Sequence, residues 1–298
     1  MLLTWGLLLA GVLVLRSGAH ALILRGLRAP RAPHDAVLSG LRAAATEVRV
    51  PTRNGKTLFA WFVPASGATP VPAVVVMHGW GANASLMLDC VAPLNAAGFA
   101  VLLLDARCHG QSDDETFTSL PRFAEDIEAG LDWISQQAQV DPMQLAVIGH
   151  SVGAGAALLC ATRRCDVRAV VSISAFAHPR EVMRRWLASY HIPYLVFGWY
   201  VLRHVQRVIG VNFDDIAPLH SMVRVACPVL LVHGTEDEMV PIEDARRLLA
   251  AGHPGEVELI EVAGRHDPSD ALVAHLPKLT AFLQRTTSLL APESRRSE

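Results

Sequence analysis

The chain has 298 residues, 51% of them hydrophobic, and a formal net charge of −2. That length fits one large α/β domain with a substantial core and is too short for two. The near-neutral charge offers no basic excess for nucleic acid, and the composition is neither repetitive nor disordered.

From the N-terminus, Leu2 to Leu15 is almost wholly apolar, and after Arg16 and His20 the apolar character resumes to Leu24. A hydrophobic helix over 1–24 is expected. Arg25, Arg28 and Arg31 follow it and no charged side chain precedes it, so a single-pass anchor would leave the domain that follows in the cytoplasm. Ala19-His20-Ala21 fits a signal-peptidase site, and cleavage there would instead give a secreted or periplasmic protein. A helix belonging to the domain is the third reading. Residues 25–45, rich in Arg, Pro and Ala, read as a linker into a domain spanning 46–288, and 289–298 as a polar tail.

Glu47–Pro51 and Thr57–Val63 flank Asn54-Gly55, a strong hairpin signal. Ala73–Met77 is continuously apolar, as suits a strand buried on both faces. Strands and helices then alternate: a helix over Leu86–Ala97, a strand over Phe99–Leu104, a helix over Arg122–Gln137, a strand over Leu145–Ile148 and a helix over Ala154–Arg163. Strands at Val167–Ile173, Pro228–Val232 and Val257–Val262 follow, with helices at Ile242–Ala251 and Ser269–Thr286. This order predicts a mostly parallel, doubly wound α/β sheet begun by an antiparallel hairpin, with ligands bound where the strands end.

One block, about 178–215, is longer than a simple crossover. It holds all three tyrosines, Trp186 and Trp199, and the arginines 184, 185, 203 and 207. A helical lid over the site is expected there, with Trp186, Tyr190 and Trp199 as substrate-contact candidates.

The chemistry centres on Gly149-His150-Ser151-Val152-Gly153. A serine between glycines at a strand-to-helix turn is the geometry of a nucleophile elbow, which lifts Oγ clear of the sheet. A serine hydroxyl needs a base, and the base needs an orienting carboxylate. Both follow in order. The acid loop His233-Gly234-Thr235-Glu236-Asp237-Glu238 offers three acids after a strand, with Asp237 favoured by spacing over Glu236 and Glu238. Asp105 and Asp267 rank lower. His266 follows the last strand and is the expected base. Backbone N–H groups of Trp80 and Val152 are the expected oxyanion donors. No metal or organic cofactor is implied. Five cysteines without metal spacing read as reduced, mostly buried thiols.

From about Thr46 to Thr286 the chain resembles the serine α/β-hydrolase family. The resemblance is carried by His78-Gly79-Trp80-Gly81, by Gly149 to Gly153, by His233 to Asp237 and by His266. It is similar to the esterase and serine-aminopeptidase-like groups that carry N-terminal membrane segments. Asp105-Ala106-Arg107-Cys108-His109-Gly110-Gln111-Ser112 resembles their D-x-R-G-H-G-x-S loop, with Cys108 where glycine is usual, which argues against a left-handed backbone there. His109 reads as a loop-packing residue. The resemblance implies hydrolysis of carboxylic esters of small acyl compounds through an acyl-enzyme. An amide or N-terminal peptide bond is the alternative substrate, and a non-catalytic binding protein on the same fold is a third reading.

Overall fold

The computed structural model describes residues 2–34, 45–67 and 70–288. The tail 289–298 and most of the second half of the expected linker, 35–44, lie outside them. Nine helices and eight strands are labelled among the described residues. The strands are β1 (Thr46–Thr52), β2 (Lys56–Val63), β3 (Val71–Met77), β4 (Ala100–Leu104), β5 (Val140–His150), β6 (Val167–Ile173), β7 (Val229–Gly234) and β8 (Val257–Val262). They form one sheet in the order β1-β2-β4-β3-β5-β6-β7-β8. β1 and β2 pair antiparallel through a turn in which Asn54 and Gly55 take φ of 61° and 65°, the positive values that a tight hairpin demands. β2 also runs antiparallel to β4, and from β4 to β8 all pairs are parallel.

The expected doubly wound sheet is therefore present, and the reason lies in the strand sequences. Val74 and Val76 face one hydrophobic cluster while Val75 and Met77 face another, so each central strand is apolar on both sides. The second cluster, the main core, packs under α3 (Leu120–Ser135) and α4 (Val152–Ala161), and the first under α9 (Pro268–Ser288). Ser119 caps α3 by accepting the Arg122 N–H, and Pro121 occupies its first turn. In α4 the run Gly153-Ala154-Gly155-Ala156-Ala157 has little side chain, which lets the helix lie close to β5, β6 and α3.

Two expectations change at the level of elements. Residues 86–97 are not one helix: a 3-10 stretch over Ala84–Cys90 precedes the short α2 (Val91–Ala96). β5 begins at Val140, earlier than the apolar run 145–148 suggested, because Val71 pairs with Val140 ahead of the regular register.

The block 178–215 is helical, comprising α5 (Pro179–Ser189), a π-type turn at Tyr194–Gly198 and α6 (Trp199–Ile209). Its inner side chains, Leu187, Leu202 and Val205, join the main core. Two short helical pieces, Asp214–Ile216 and α7 (Pro218–Met222), lead back to β7, after which α8 (Ile242–Ala251) covers the sheet. Ion pairs Arg185–Asp244 and Arg247–Glu181 fasten α5 to α8.

The hydrophobic helix expected over 1–24 forms. α1 runs from Leu2 to Gly26, but among the described residues no helix is long and apolar enough to cross a membrane. Arg16 and His20 interrupt its apolar character. Its C-terminal half is engaged with the domain: His20 Nδ1 lies 2.9 Å from His204 Nε2 on α6, and Ile23 and Leu27 pack on the main core. The following residues, to His34, lie against the strand-end loops.

Candidate active site

Five chain segments converge where the parallel strands end, and glycines set how closely they approach. The backbone of Ser151 sits at φ 54°, ψ −115°, a strained conformation imposed by the turn from β5 into α4. A Cβ on Gly149 would come within 2.2 Å of the Gly153 carbonyl oxygen, and one on Gly153 within 2.4 Å of the His78 carbonyl oxygen. Only glycine fits either place, so the G-x-S-x-G spacing is a packing requirement of the turn. Gly234 plays the same part between the acid loop and the histidine loop, since a Cβ there would meet the Gly264 carbonyl oxygen at 2.4 Å.

These approaches bring Ser151, His266 and Asp237 together. His266 Nε2 lies 3.0 Å from Ser151 Oγ, and His266 Nδ1 lies 2.7 Å from Asp237 Oδ2. Asp237 Oδ1 accepts the N–H groups of Met239 and Val240 at 2.9 and 2.8 Å. Burial pushes the Asp237 carboxyl up, but hydrogen bonds from His266 and Val240, with His233 nearby, outweigh it and hold the group below the usual carboxylate range. The carboxylate is thus ionised at neutral pH and fixes the proton of His266 on Nδ1. Nε2 is left as the acceptor facing Ser151 Oγ–H. Glu236 and Glu238 are exposed, whereas Asp237 is buried. Asp105 is spent elsewhere: its Oδ1 accepts the Ala84 N–H, and its Oδ2 accepts the Gln111 N–H and bonds His34.

The expected oxyanion donors come from two neighbouring segments. Val152 opens α4, where the first backbone N–H groups have no partner inside the helix. Trp80 lies on the loop after β3. The adjacent Gly79 touches the elbow: a Cβ there would lie 3.1 Å from Ser151 Cβ. The Trp80 ring is partly exposed, as suits a side chain on the rim of a site.

Two buried histidines hold this loop. His78 Nδ1–H donates to the Gly79 carbonyl at 2.7 Å and its Nε2 accepts the Ala106 N–H at 3.0 Å. His109 Nδ1–H donates to the Arg107 carbonyl, and its Nε2 accepts the Gly81 N–H at 3.1 Å. Each ring must be neutral to accept through Nε2. Burial together with the neighbouring His109 pushes His78 down to about 3, and burial lowers His109 as well. His109 is therefore a tether between the two loops, which sharpens its reading as a packing residue.

Two further histidines escaped the sequence analysis. His150, inside the elbow, donates Nε2–H to the His266 carbonyl at 2.9 Å, and burial and the neighbouring His266 push it down to about 4. His233 donates Nε2–H to the Val240 carbonyl at 2.8 Å, bracing the turn that presents Asp237. Only their positions, directly before Ser151 and before the acid-loop Gly234, hinted at these roles.

Cys108 adopts φ 67°, so the left-handed backbone is kept although glycine is absent. Its N–H donates to the Asp113 carbonyl at 3.0 Å and its sulfur accepts the Glu115 N–H at 3.2 Å, which offsets the strain. The five described cysteines are free thiols. The candidates in the helical insertion behave differently. Trp186, Tyr190 and Trp199 are all exposed; the Trp186 and Tyr190 rings meet at a tilt of 59°, and Arg203 lies over Trp199.

The fold and this constellation define a class, the α/β-hydrolases. Residues 68–208 match the sequence model described as serine aminopeptidase, S33. The chain is 30% identical over 254 residues to the uncharacterized protein Rv2307c of Mycobacterium tuberculosis, covering 84% of this chain and 83% of that one. Its fold is similar to that of the Pyrococcus furiosus esterase Pf2001, with a TM-score of 0.69 at 19% identity, over 87% of this chain and 99% of the esterase. Est1E from Butyrivibrio proteoclasticus, solved with ferulic acid bound, gives 0.66 at 20% identity over 81% and 99%. The chain belongs to the α/β-hydrolase family.

Proposed function

We propose that the protein is a serine hydrolase that cleaves carboxylic esters through an acyl-enzyme on Ser151. The observation that carries this reading is the chain of contacts Ser151 Oγ–His266 Nε2–Asp237, at 3.0 and 2.7 Å. His266 takes the Ser151 proton as Oγ attacks the acyl carbon, and ionised Asp237 stabilises the imidazolium that forms. The N–H groups of Trp80 and Val152 receive the oxyanion. Collapse expels the alcohol, protonated from His266 Nε2. Water, deprotonated by the same nitrogen, then hydrolyses the acyl-enzyme and restores Ser151.

The bond preferred is that of an ester. A substrate with a free α-amino group needs an anionic partner. In the insertion, 178–215, the acids are Glu181, Asp214 and Asp215, and each is engaged: Glu181 by Arg247 on α8, Asp214 by His178 and Arg180, and Asp215 by the Asn212 amide. The exposed Trp186, Tyr190 and Trp199 suit an apolar acyl or aryl group, so the insertion acts as the lid that selects it. Esterase neighbours in fold support this reading. A panel of 4-nitrophenyl esters of rising acyl length, set beside aminoacyl 4-nitroanilides, tests it on wild type and Ser151→Ala. Ester turnover that disappears with Ser151 is expected. Faster aminoacyl anilide cleavage would reverse the substrate assignment, and ester turnover surviving Ser151→Ala would remove the mechanism.

A further inference from the structure

The segment 27–34 precedes the hydrolase sheet, yet its contacts fall on the loops that frame the oxyanion donors. The Pro30 ring lies over Gly81, next to Trp80: a Cβ on Gly81 would stand 3.1 Å from Pro30 Cγ. The carbonyls of Ala32 and Pro33 accept both hydrogen bonds of the Asn83 amide, at 3.1 and 2.8 Å. The Arg31 guanidinium donates to the carbonyls of His109 and Ser112, at 3.4 and 3.0 Å, and to that of Gly110, and pairs with Asp114 at 2.6 Å. His34 Nε2 reaches Asp105 Oδ2 at 2.8 Å, and its Nδ1 accepts from the Gln111 amide at 2.9 Å.

Asp105 makes this more than surface contact. Its side chain is fully buried, and it holds both loops at once, the Ala84 N–H on one and the Gln111 N–H on the other. His34 supplies its third donor and rests on Phe59 and Trp61. The same two loops are joined from the inside by the His109–Gly81 and His78–Ala106 bonds.

We infer that residues 30–34 are a strap that positions the oxyanion loop, with Arg31 and His34 as positioning residues acting through Asp105 and the loop 109–112 on the Trp80 N–H. The inference rests on the esterase reading for its kinetic consequence. The loop keeps its inner tethers without the strap, so the fold survives its loss while the outer side of the loop slackens. An oxyanion donor works only when aimed at the position where charge develops, and a displacement of roughly 1 Å can cost about 100-fold. Substrate binding does not use that donor to the same extent. The strap therefore governs kcat and leaves KM nearly untouched.

The test uses the full chain with Arg31→Ala/His34→Ala and, separately, His34→Gln, whose amide can still donate to Asp105. Two measurements are made: kcat and KM on 4-nitrophenyl butyrate, and amide hydrogen exchange resolved at 79–85 and at β5. The double variant should lose about 10- to 100-fold in kcat with KM within about twofold. Exchange at 79–85 should quicken while β5 stays protected, and His34→Gln should retain most of the activity that the double variant loses. Unchanged kcat with unchanged exchange at 79–85 would overturn the inference. So would exchange that rises throughout the sheet, because the segment would then serve stability alone. If wild type shows no Ser151-dependent turnover, the esterase reading fails by itself, and the exchange pattern still decides whether the strap restrains the loop.

Discussion

The strand-end loops and the helical insertion face the same problem in opposite ways. The loops after β3 and β4 and the end of β7 with its acid loop are built around buried polar groups, each with a defined partner: Asp105, Arg107, His78, His109, His233 and Asp237 are all less than a tenth exposed. The insertion carries its large aromatics outward, with Trp186, Tyr190 and Trp199 each about half exposed or more. Buried hydrogen-bonded networks are costly to disturb and hold one geometry, whereas exposed rings tolerate exchange. The proposed bond-breaking apparatus is thus held in one geometry by its buried network, while the surface proposed to choose the substrate is free to vary.

The largest effect expected on this contrast is in the acid loop. Asp237→Asn keeps the shape but offers His266 a neutral partner that no longer fixes its tautomer. Turnover should fall by about 10⁴-fold, as for such a change in other triads. Glu236→Gln and Glu238→Gln, on exposed neighbours, should change it less than about threefold. Steady-state kinetics on the three variants checks this, and the reverse ranking would move the acid.

Next comes the Asp105 loop. Arg107 is wholly buried and bonds Asp126, Glu115 and Glu125, and its own N–H donates to Asp126. Asp126→Ala leaves the guanidinium short of its most buried partner, and breaking such a pair costs about 3–5 kcal/mol. Thermal unfolding should shift down by about 6–12 °C. A shift within 2–3 °C, roughly that of a surface substitution, would mean that Glu115 and Glu125 suffice.

The same loops set an acid limit. His78 and His150 are pushed down to about 3 and about 4, chiefly by burial, so both stay neutral in the folded state. In the unfolded chain histidine takes up its proton near pH 6.5. Below that value the unfolded state binds more protons. Stability is therefore complete above about pH 6.5 and is lost as pH falls towards 4, each group steepening the loss by up to about 1.4 kcal/mol per pH unit. Urea midpoints at descending pH should drop accordingly, and a flat profile would contradict neutral, buried rings.

The smallest effect belongs to the insertion. Trp186→Ala or Tyr190→Ala should leave thermal stability nearly unchanged and alter the ratio of kcat/KM between short and long acyl esters by up to about 10-fold. An equal loss on every ester would deny the insertion a part in selection.

How far the sequence discloses this arrangement differs in the same way. The sheet is legible because Val74 to Met77 and its counterparts are apolar at every position, a pattern that only a strand covered on both faces sustains. The Ser151, Asp237 and His266 positions are legible because steric needs leave a written trace: Gly149, Gly153 and Gly234 mark the close approaches that gather them. The inner tethers are not, because His78, His109, His150 and His233 look like any loop histidine until their partners are known. The strap is hidden for another reason. Pro30, Arg31 and Pro33 have the composition of a linker, and their role comes from carbonyls and an arginine that meet loops some 50 to 80 residues away. Cys108 is a case where residue preference misleads. Its left-handed backbone is set by hydrogen bonds from its surroundings rather than by its own side chain.

The central claim is that Ser151 is a nucleophile activated by His266. Peptide mass spectrometry after treatment with a fluorophosphonate reads this directly. The account predicts one phosphonyl adduct, on Ser151, forming rapidly in wild type and at least about 10³-fold more slowly in His266→Ala. An adduct on another residue, or labelling of Ser151 at the same rate without His266, would contradict it.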